Sequence, residues 1–387
     1  MRFSVLLPTR NGGALLGDCI ASVLEQDFDD FELVISDNAN TDSTPDVIRR
    51  FAGDSRLKVV RQDTLLPVTE NWTAALRASS GEYVLLVGDD DYLLPDALRR
   101  LDEIIRRHRN PDCVLYNGYF YVSPTAVATD PASYWRPHFE YGPEFAAEGV
   151  LSMDQRLGIV RDMFRFQQRV PLNMQTMVFA RTAIERESHS TFVEPFPDHY
   201  LVNALLIGGR SCVYAPDQLV ICGVSPNSFG HYYYSHRVGD GLTYLGVSVE
   251  FTGSLPGSAL LNGMYLWLMK LKDRYPDALR GVEIDRAAYV RRQIHAWLLQ
   301  GRYGGITKGQ LASRLAGLSL GDWIGLFGTV ADGESWRRLV RLFKTRRKTQ
   351  MQAMFEGMMA PLPGIANIRD FSKWARQQQN PAPEPGL

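Results

Sequence analysis

Along the first 122 residues, short apolar runs alternate with segments whose apolar positions return every three or four residues. Phe3-Ser4-Val5-Leu6-Leu7 reads as a buried strand, and Leu15, Leu16, Cys19, Ile20, Val23 and Leu24 then mark one face of a helix. Residues 31–36 are strand-like again. Thr44-Pro45 supplies an N-cap and a first-turn proline for a short helix ending near Phe51. Residues 57–61 predict a strand, 68–79 a helix and 83–87 another strand. Pro95 then opens a helix with Leu98, Leu101, Ile104 and Ile105 on one face. This alternation predicts an α/β fold, a mixed and mainly parallel sheet with flanking helices. Ligands of such sheets bind beyond the carboxyl ends of the strands.

The pattern fades from 123 to about 152 into Pro, Ala, Tyr and Trp, which reads as a long loop or insertion over the site. Order returns over 155–215: a helix to about 168, a strand near 177–180 and a helix after Pro197. From about 239 to 348 the reading is mostly helical, and the closing "QQQNPAPEPGL" has the composition of a disordered tail. The expected boundaries are a catalytic unit at 1–238, divided into a nucleotide-binding half (1–122) and an acceptor half (123–238), a helical C-terminal region at 239–375, and a tail at 376–387.

Composition narrows the class. The chain has 387 residues, 45% of them hydrophobic, enough for a large core. Lys and Arg total 42 against 43 Asp and Glu, so a net charge of -1 gives no global attraction to nucleic acid. Cys19, Cys113, Cys212 and Cys222 are far apart and form no CxxC pair, which fits reduced thiols in a cytoplasmic protein. The N-terminal apolar run is too short for a signal peptide, and no apolar stretch reaches the ~18 residues of a membrane span.

Three stretches carry chemistry. In "LLPTRNGGALLGDC" a strand turns into a helix through Pro8-Thr9-Arg10-Asn11-Gly12-Gly13, where glycines let backbone amides approach an anion at the helix N-terminus. In "FELVISDNANTDST" Asp37 and Asn38 end a strand and offer an acceptor and a donor for a base edge or a ribose; the plainer reading is that they make turns and cap the next helix. In "YVLLVGDDDYLLPDAL" Asp89, Asp90 and Asp91 follow a buried strand. Hard divalent cations prefer such oxygens. The alternative is a solvated acidic turn at the start of the helix opened by Pro95.

Together, in this order and spacing, the stretches resemble the family 2 glycosyltransferases of the GT-A fold over roughly the first 110 residues. The resemblance implies a nucleotide-diphosphosugar donor, a divalent cation (Mn²⁺ or Mg²⁺) and inversion at the anomeric carbon. It places Thr9 and Asn11 in the first nucleotide-contacting loop, Asp37 at the base, with a UDP-sugar favoured, and Asn71 facing the nucleotide. The family's metal motif runs Asp-x-Asp-Asp-x-x-x-Pro. Anchored on Pro95, it makes Asp90 the usual metal ligand and Asp91 the second. Its first aspartate falls on Gly88, a departure that Asp89 covers through ribose or metal. A general base is expected before a later helix; in "TFVEPFPDHYLVNALLIGGR" this is Asp198, with Glu194 and His199 in reserve. His231, in "GVSPNSFGHYYYSHRVGDG", is a candidate for the metal or the diphosphate.

Residues 335–359 concentrate Arg337, Arg338, Arg341, Lys344, Arg346, Arg347 and Lys348 around Trp336, Leu339, Val340 and Phe343. A basic amphipathic helix of this kind suits an anionic membrane surface on the cytoplasmic face, where it would bring the catalytic unit to a saccharide or lipid-linked acceptor. The plainer reading packs it on the core or on a second subunit, and the apolar residues of 260–299 likewise call for a partner, such as another copy of the chain. Two other classes stand beside the transferase. A nucleotidyltransferase would carry a Gly-rich, cationic phosphate loop, and "PTRNGG" has one Arg and few glycines. A non-catalytic membrane-associated binding protein would have no need of Asp90, Asp91 and Asp198 together.

Overall fold

In the N-terminal half each strand is followed by a helix that carries the chain back over the sheet, so successive strands run parallel. β1 (Phe3–Thr9) lies between β2 (Phe31–Asp37) and β4 (Tyr83–Leu86), and β3 (Leu57–Arg61) borders β2. The connections are α1 (Leu16–Leu24), α2 (Thr44–Arg49) and α3 (Val68–Ala78). Every residue of β2 is buried, the pattern of a strand covered on both faces. The computed structural model describes residues 1–124, 133–137, 145–186, 191–226, 228, 238–302, 304–327, 340 and 359–379.

After β4 come β5 (Tyr92–Leu93), α4 (Ala97–Arg107), β6 (Cys113–Val122), β7 (Ser133–Pro137), β8 (Gly149–Leu151) and α5 (Met153–Phe164). β9 (Met177–Ala180), α6 (Arg181–Arg186), α7 (Pro197–Gly208) and β10 (Cys212–Val224) follow. Five helices occupy 238–327: α8 (Val238–Leu245), α9 (Ala259–Arg274), α10 (Arg286–Arg302), α11 (Lys308–Ala316) and α12 (Leu320–Phe327). β11 (Ala360–Leu362) and α13 (Ile368–Gln379) close the described chain. The sheet order is β11-β7-β6-β9-β4-β1-β2-β3, and β10 pairs with β6 in parallel and with β5 and β8 antiparallel. The expected mixed sheet is therefore present: parallel from β4 through β1 and β2 to β3, mixed from β9 onward.

Inside the parallel half a buried carboxylate ties the layers together. Glu32 on β2 accepts hydrogen bonds from the Ser4 hydroxyl (2.6 Å) and from Ser80 N–H, and pairs with Lys58 on β3 (2.5 Å). Burial works against its charge, but these donors outweigh burial and hold the carboxyl down to about 2.

Three local expectations change. The stretch from 123 to 152 contributes two strands to the sheet rather than a loop alone. β7 is held by β6 and β8 by β10, partners outside the local pattern, and the flanking Pro and Ala conceal them. The helix expected to reach 168 stops at Phe164, where Phe166 takes a left-handed φ of 58° and donates its N–H to Met163 O (2.8 Å). The final helix runs to Gln379, past the boundary expected at 375. The apolar residues of 260–299 find their partner within the chain: Trp267, Tyr289 and Trp297 are fully buried in the same core as β1 and β2. Apart from Val340, the basic segment centred on 337–348 lies outside the described residues.

A second, smaller core forms where α13 returns to the sheet. Phe371 stacks on Tyr121 of β6 (ring centroids 4.9 Å apart), and Trp374 meets Trp135 of β7 edge-on (4.6 Å). Because side chains alternate along a strand, Tyr119 and Tyr121 face α13 while Phe120 points the other way. Phe371→Ala should cost about 3–5 kcal/mol, read by urea denaturation; a loss below about 1 kcal/mol would mean that α13 is not an integral layer.

Candidate active site

The ends of β1 and β2 are stitched together by short polar side chains. Asn11 adopts a left-handed φ of 55°, which asparagine tolerates. Its backbone N–H donates to Asn40 Oδ1, and its own Oδ1 accepts from Thr41 N–H (2.9 Å). Gly13 N–H donates to Asp42 Oδ2 (3.0 Å). Asp37 is buried, and its Oδ1 accepts from the backbone N–H (3.2 Å) and the side chain (2.7 Å) of Asn40. Both amide atoms of Asn38 engage the backbone of Leu66 (2.9 and 2.8 Å). The turn-making reading of Asp37 and Asn38 thus describes their contacts.

The three aspartates after β4 point to three places. Asp89 turns toward the β1 loop, where Thr9 Oγ1 donates to its Oδ2 (2.8 Å); a Cβ on Gly12 would collide with this carboxylate. Asp91 folds back: its Oδ2 accepts from Gly88 N–H (2.6 Å) and its Oδ1 from Gly223 N–H on β10 (3.0 Å), with Gln175 as a further donor. Asp90 accepts from the Ser225 hydroxyl, while its Oδ2 is buried with no hydrogen-bond partner. Burial, then the charges of Asp91 and Asp89, push the Asp90 carboxyl well above the carboxylate range. Burial also pushes Asp89 up to about 6, the Thr9 hydrogen bond opposing it and the Asp91 charge adding to it.

This turn needs glycines on two sides. A Cβ at Gly223 would run into the backbone carbonyl of Asp90. At Gly88 it would stand 3.0 Å from Asp91 Oδ2 and 3.3 Å from Asp90 Oδ1. The departure at Gly88 therefore has a steric cause: the folded-back Asp91 occupies the space that a side chain at 88 would use. The Cys19 thiol closes the turn from below by donating to Gly88 O (3.1 Å).

Asp198 enters from the other half of the sheet. Pro197 opens α7 with its fixed φ, and Asp198 follows in the first turn, its Oδ1 accepting the His199 N–H (3.0 Å). α9 braces this turn, because Gly263 leaves room for the Phe196 ring and Lys270 Nζ donates to Glu194 O (2.9 Å). Burial raises the Asp198 carboxyl above its ordinary value. His199 stands edge-on to Trp267 (6.1 Å); its Nδ1 is buried and unpartnered, and burial lowers its pKa.

One cavity of about 480 Å³ joins these groups. Asn71, Asp89, Asp90, Asp91 and Asp198 all line it, and so does His199. Thr9 sits behind Asp89, while Asn11 and Asp37 support the loops at its edge without lining it; Glu194 is exposed and does not line it. His231 lies outside the described residues. The sequence reading missed the amides Asn173 and Gln175 and a wall from the second half of the sheet, namely Phe120, Arg136 and Cys222. The alternation of β6 would have aimed Phe120 inward once its strand was recognised; nothing local marked Arg136. Among the described residues no group of three His, Cys, Asp or Glu is arranged to hold a metal. The buried, unpartnered Asp90 Oδ2 is nonetheless a hard oxygen of the kind that Mg²⁺ or Mn²⁺ takes singly, together with substrate phosphates.

Residues 4–170 match the model of Glycosyl transferase family 2. A PGL/p-HBAD biosynthesis glycosyltransferase of Mycobacterium bovis is 35% identical over 115 residues, 29% of this chain and 44% of that protein. The poly(ribitol-phosphate) beta-N-acetylglucosaminyltransferase TarS of Staphylococcus aureus is 31% identical over 113 residues, 28% of this chain and 20% of that protein. The chain thus spans less than half the length of these curated relatives. The structure of S. aureus TarS 1-349 in complex with UDP aligns with a TM-score of 0.47 and 17% identity, over 87% of this chain and 92% of that one.

The steric account of Gly88 can be tested by placing the family's aspartate there. Gly88→Asp should lower stability by about 1–3 kcal/mol and add no affinity for Mn²⁺. Thermal unfolding and calorimetry read the two; unchanged stability with tighter Mn²⁺ binding would refute the crowding.

Proposed function

We propose that the chain is an inverting, metal-assisted glycosyltransferase that moves a sugar from a nucleotide-diphosphosugar, with UDP-sugars favoured, to an acceptor hydroxyl. The observation that carries this reading is the single cavity lined both by the acidic turn with its unpartnered Asp90 oxygen and by the buried Asp198. Asn71, whose Oδ1 is buried and unpartnered, faces the nucleotide; Asp89, held by Thr9, serves the ribose side. Asp90 would hold the divalent cation, Mn²⁺ or Mg²⁺, which when bound supplies charge neutralisation at the leaving diphosphate. Asp91 fixes the turn. Asp198 takes the proton of the acceptor hydroxyl as that oxygen attacks the anomeric carbon. The names of the relatives point to surface glycolipid and polymer synthesis as the setting. A saccharide or lipid-linked acceptor fits, with residues 335–359 resting on an anionic membrane; among the described residues no helix is long and apolar enough to cross one.

Asp198→Asn should keep donor binding and lower kcat by about 10²–10⁴-fold, since only the proton acceptor is lost. Because burial raises the Asp198 carboxyl, wild-type kcat should fall with decreasing pH through a value above the ordinary carboxylate range, where the group becomes protonated and cannot accept. Near-normal turnover of the variant, or an acid limb within the ordinary range, would remove Asp198 as base. Asp90→Ala should abolish the part of nucleotide binding that depends on Mn²⁺; calorimetry with and without the ion measures it, and an unchanged dependence would exclude Asp90 as the ligand.

A further inference from the structure

We infer that Arg136 is the residue that grips the phosphoryl oxygens of the donor diphosphate from the side opposite the acidic turn, an assignment that rests on the donor reading above. Arg136 lies on β7, in register with Phe120 of β6. Its guanidinium stands over the Phe120 ring, 5.1 Å from the centroid, and both residues line the cavity. Phe120 is in turn in register with Cys222 on β10, next to Gly223, whose N–H holds Asp91. Two strand spacings of ~4.8 Å put the base of Arg136 roughly 10 Å from the acidic turn, a gap that an arginine side chain and a diphosphate can span between them.

The side chain is half-buried, its Nε is buried with no hydrogen-bond partner, and no carboxylate among the described residues pairs with it. A guanidinium offers five donors in a planar fork, and among the described residues it meets the ring face of Phe120. Leaving such donors unmet is costly unless a ligand meets them. The shape and charge of the fork match phosphate oxygens bidentately, and the donor's diphosphate is the anion the cavity is proposed to receive. The other lining arginine, Arg10, comes from the β1 loop, so the two cations would approach that anion from different elements.

The test measures UDP and uridine binding at fixed Mn²⁺ and ionic strength to wild type, Arg136→Gln and Arg136→Lys. Arg136→Gln should weaken UDP roughly 10- to 100-fold and leave uridine unchanged, because uridine lacks the phosphates; Arg136→Lys, with charge but no fork, should fall between. Melting temperatures without ligand check folding, and Arg136→Lys carries the test should Arg136→Gln fail to fold. GDP with guanosine, and dTDP with thymidine, replace the uridine pair if the wild type prefers them. A variant that binds the diphosphate as tightly as wild type overturns the assignment while leaving the donor reading standing. A wild-type protein that binds none of the three diphosphates overturns the donor reading and, with it, this role.

Discussion

Asp91 takes a backbone N–H from each side of the cavity, Gly88 at the end of β4 and Gly223 on β10. β4 belongs to the parallel half, built from local strand-helix units, and β10 belongs to the second half, whose pairings join residues a hundred positions apart. One carboxylate therefore sets the distance between the two halves where the ligand must fit. Hydrogen bonds to a charged acceptor are stronger than neutral ones, and with the Asp91 side chain 1% exposed little water competes for them. The consequences spread outward. Gly223 has no room for a side chain and one at Gly88 would crowd Asp91 and Asp90, Asp90 is left with a buried, unpartnered oxygen, and Asp89 turns toward Thr9 and Gly12.

Glu32 and Asp91 show how differently buried carboxylates can be managed. Glu32 has Lys58 as a counter-ion and hydrogen-bond donors besides, so its charge is secured within the protein and its pKa falls to about 2. Among the described residues no Lys or Arg pairs with the acidic turn; burial raises all three of its carboxyls, and the charges of neighbouring aspartates add to this at Asp89 and Asp90. A site arranged this way is poorly satisfied by the protein alone. That imbalance sets the turn apart from a structural ion-pair network, and it is what the proposed cation would relieve.

The parallel half was legible because its information is local. Apolar runs of four or five residues, helical periodicity and the Thr44-Pro45 start signal are each contained within a few positions, and β1 to β4 with their helices appear where they predict them. The second half was less legible because its strands are short or depend on distant partners: β5 has two residues, β7 five, and β8 three. For the site, Asn71, Asp89, Asp90, Asp91 and Asp198 were reachable through the family resemblance that the motifs carry, together with helix-start chemistry, and they share one cavity. The different duties within the aspartate trio were not reachable. They depend on Gly223, 132 positions from Asp91 along the chain. Arg136 was invisible for the same reason, since its meaning comes from Phe120 and the register of β6 with β7.

The division between local and distant information also bears on specificity. The family match ends at residue 170, short of Asp198, β10 and every helix after α7. The matched part supplies the acidic turn and the loops around it, the features a common donor chemistry requires. The remaining walls come from elements beyond the match: Phe196 and Asp198 at the head of α7, Cys222 and Gly223 on β10, Leu245 at the end of α8 and Leu260 on α9. These walls are held by the packing of α9 and α10, with Trp267 and Trp297 fully buried, and the β6–β7 wall is backed by α13. In the proposed reaction an acceptor would approach the anomeric carbon from the side where Asp198 stands, so the residues that meet it would belong to this unmatched part. On that reading, two chains could share the acidic turn and the donor chemistry while differing in acceptor, because the proposed acceptor side is shaped by long-range packing that can change without disturbing the Asp91 clamp.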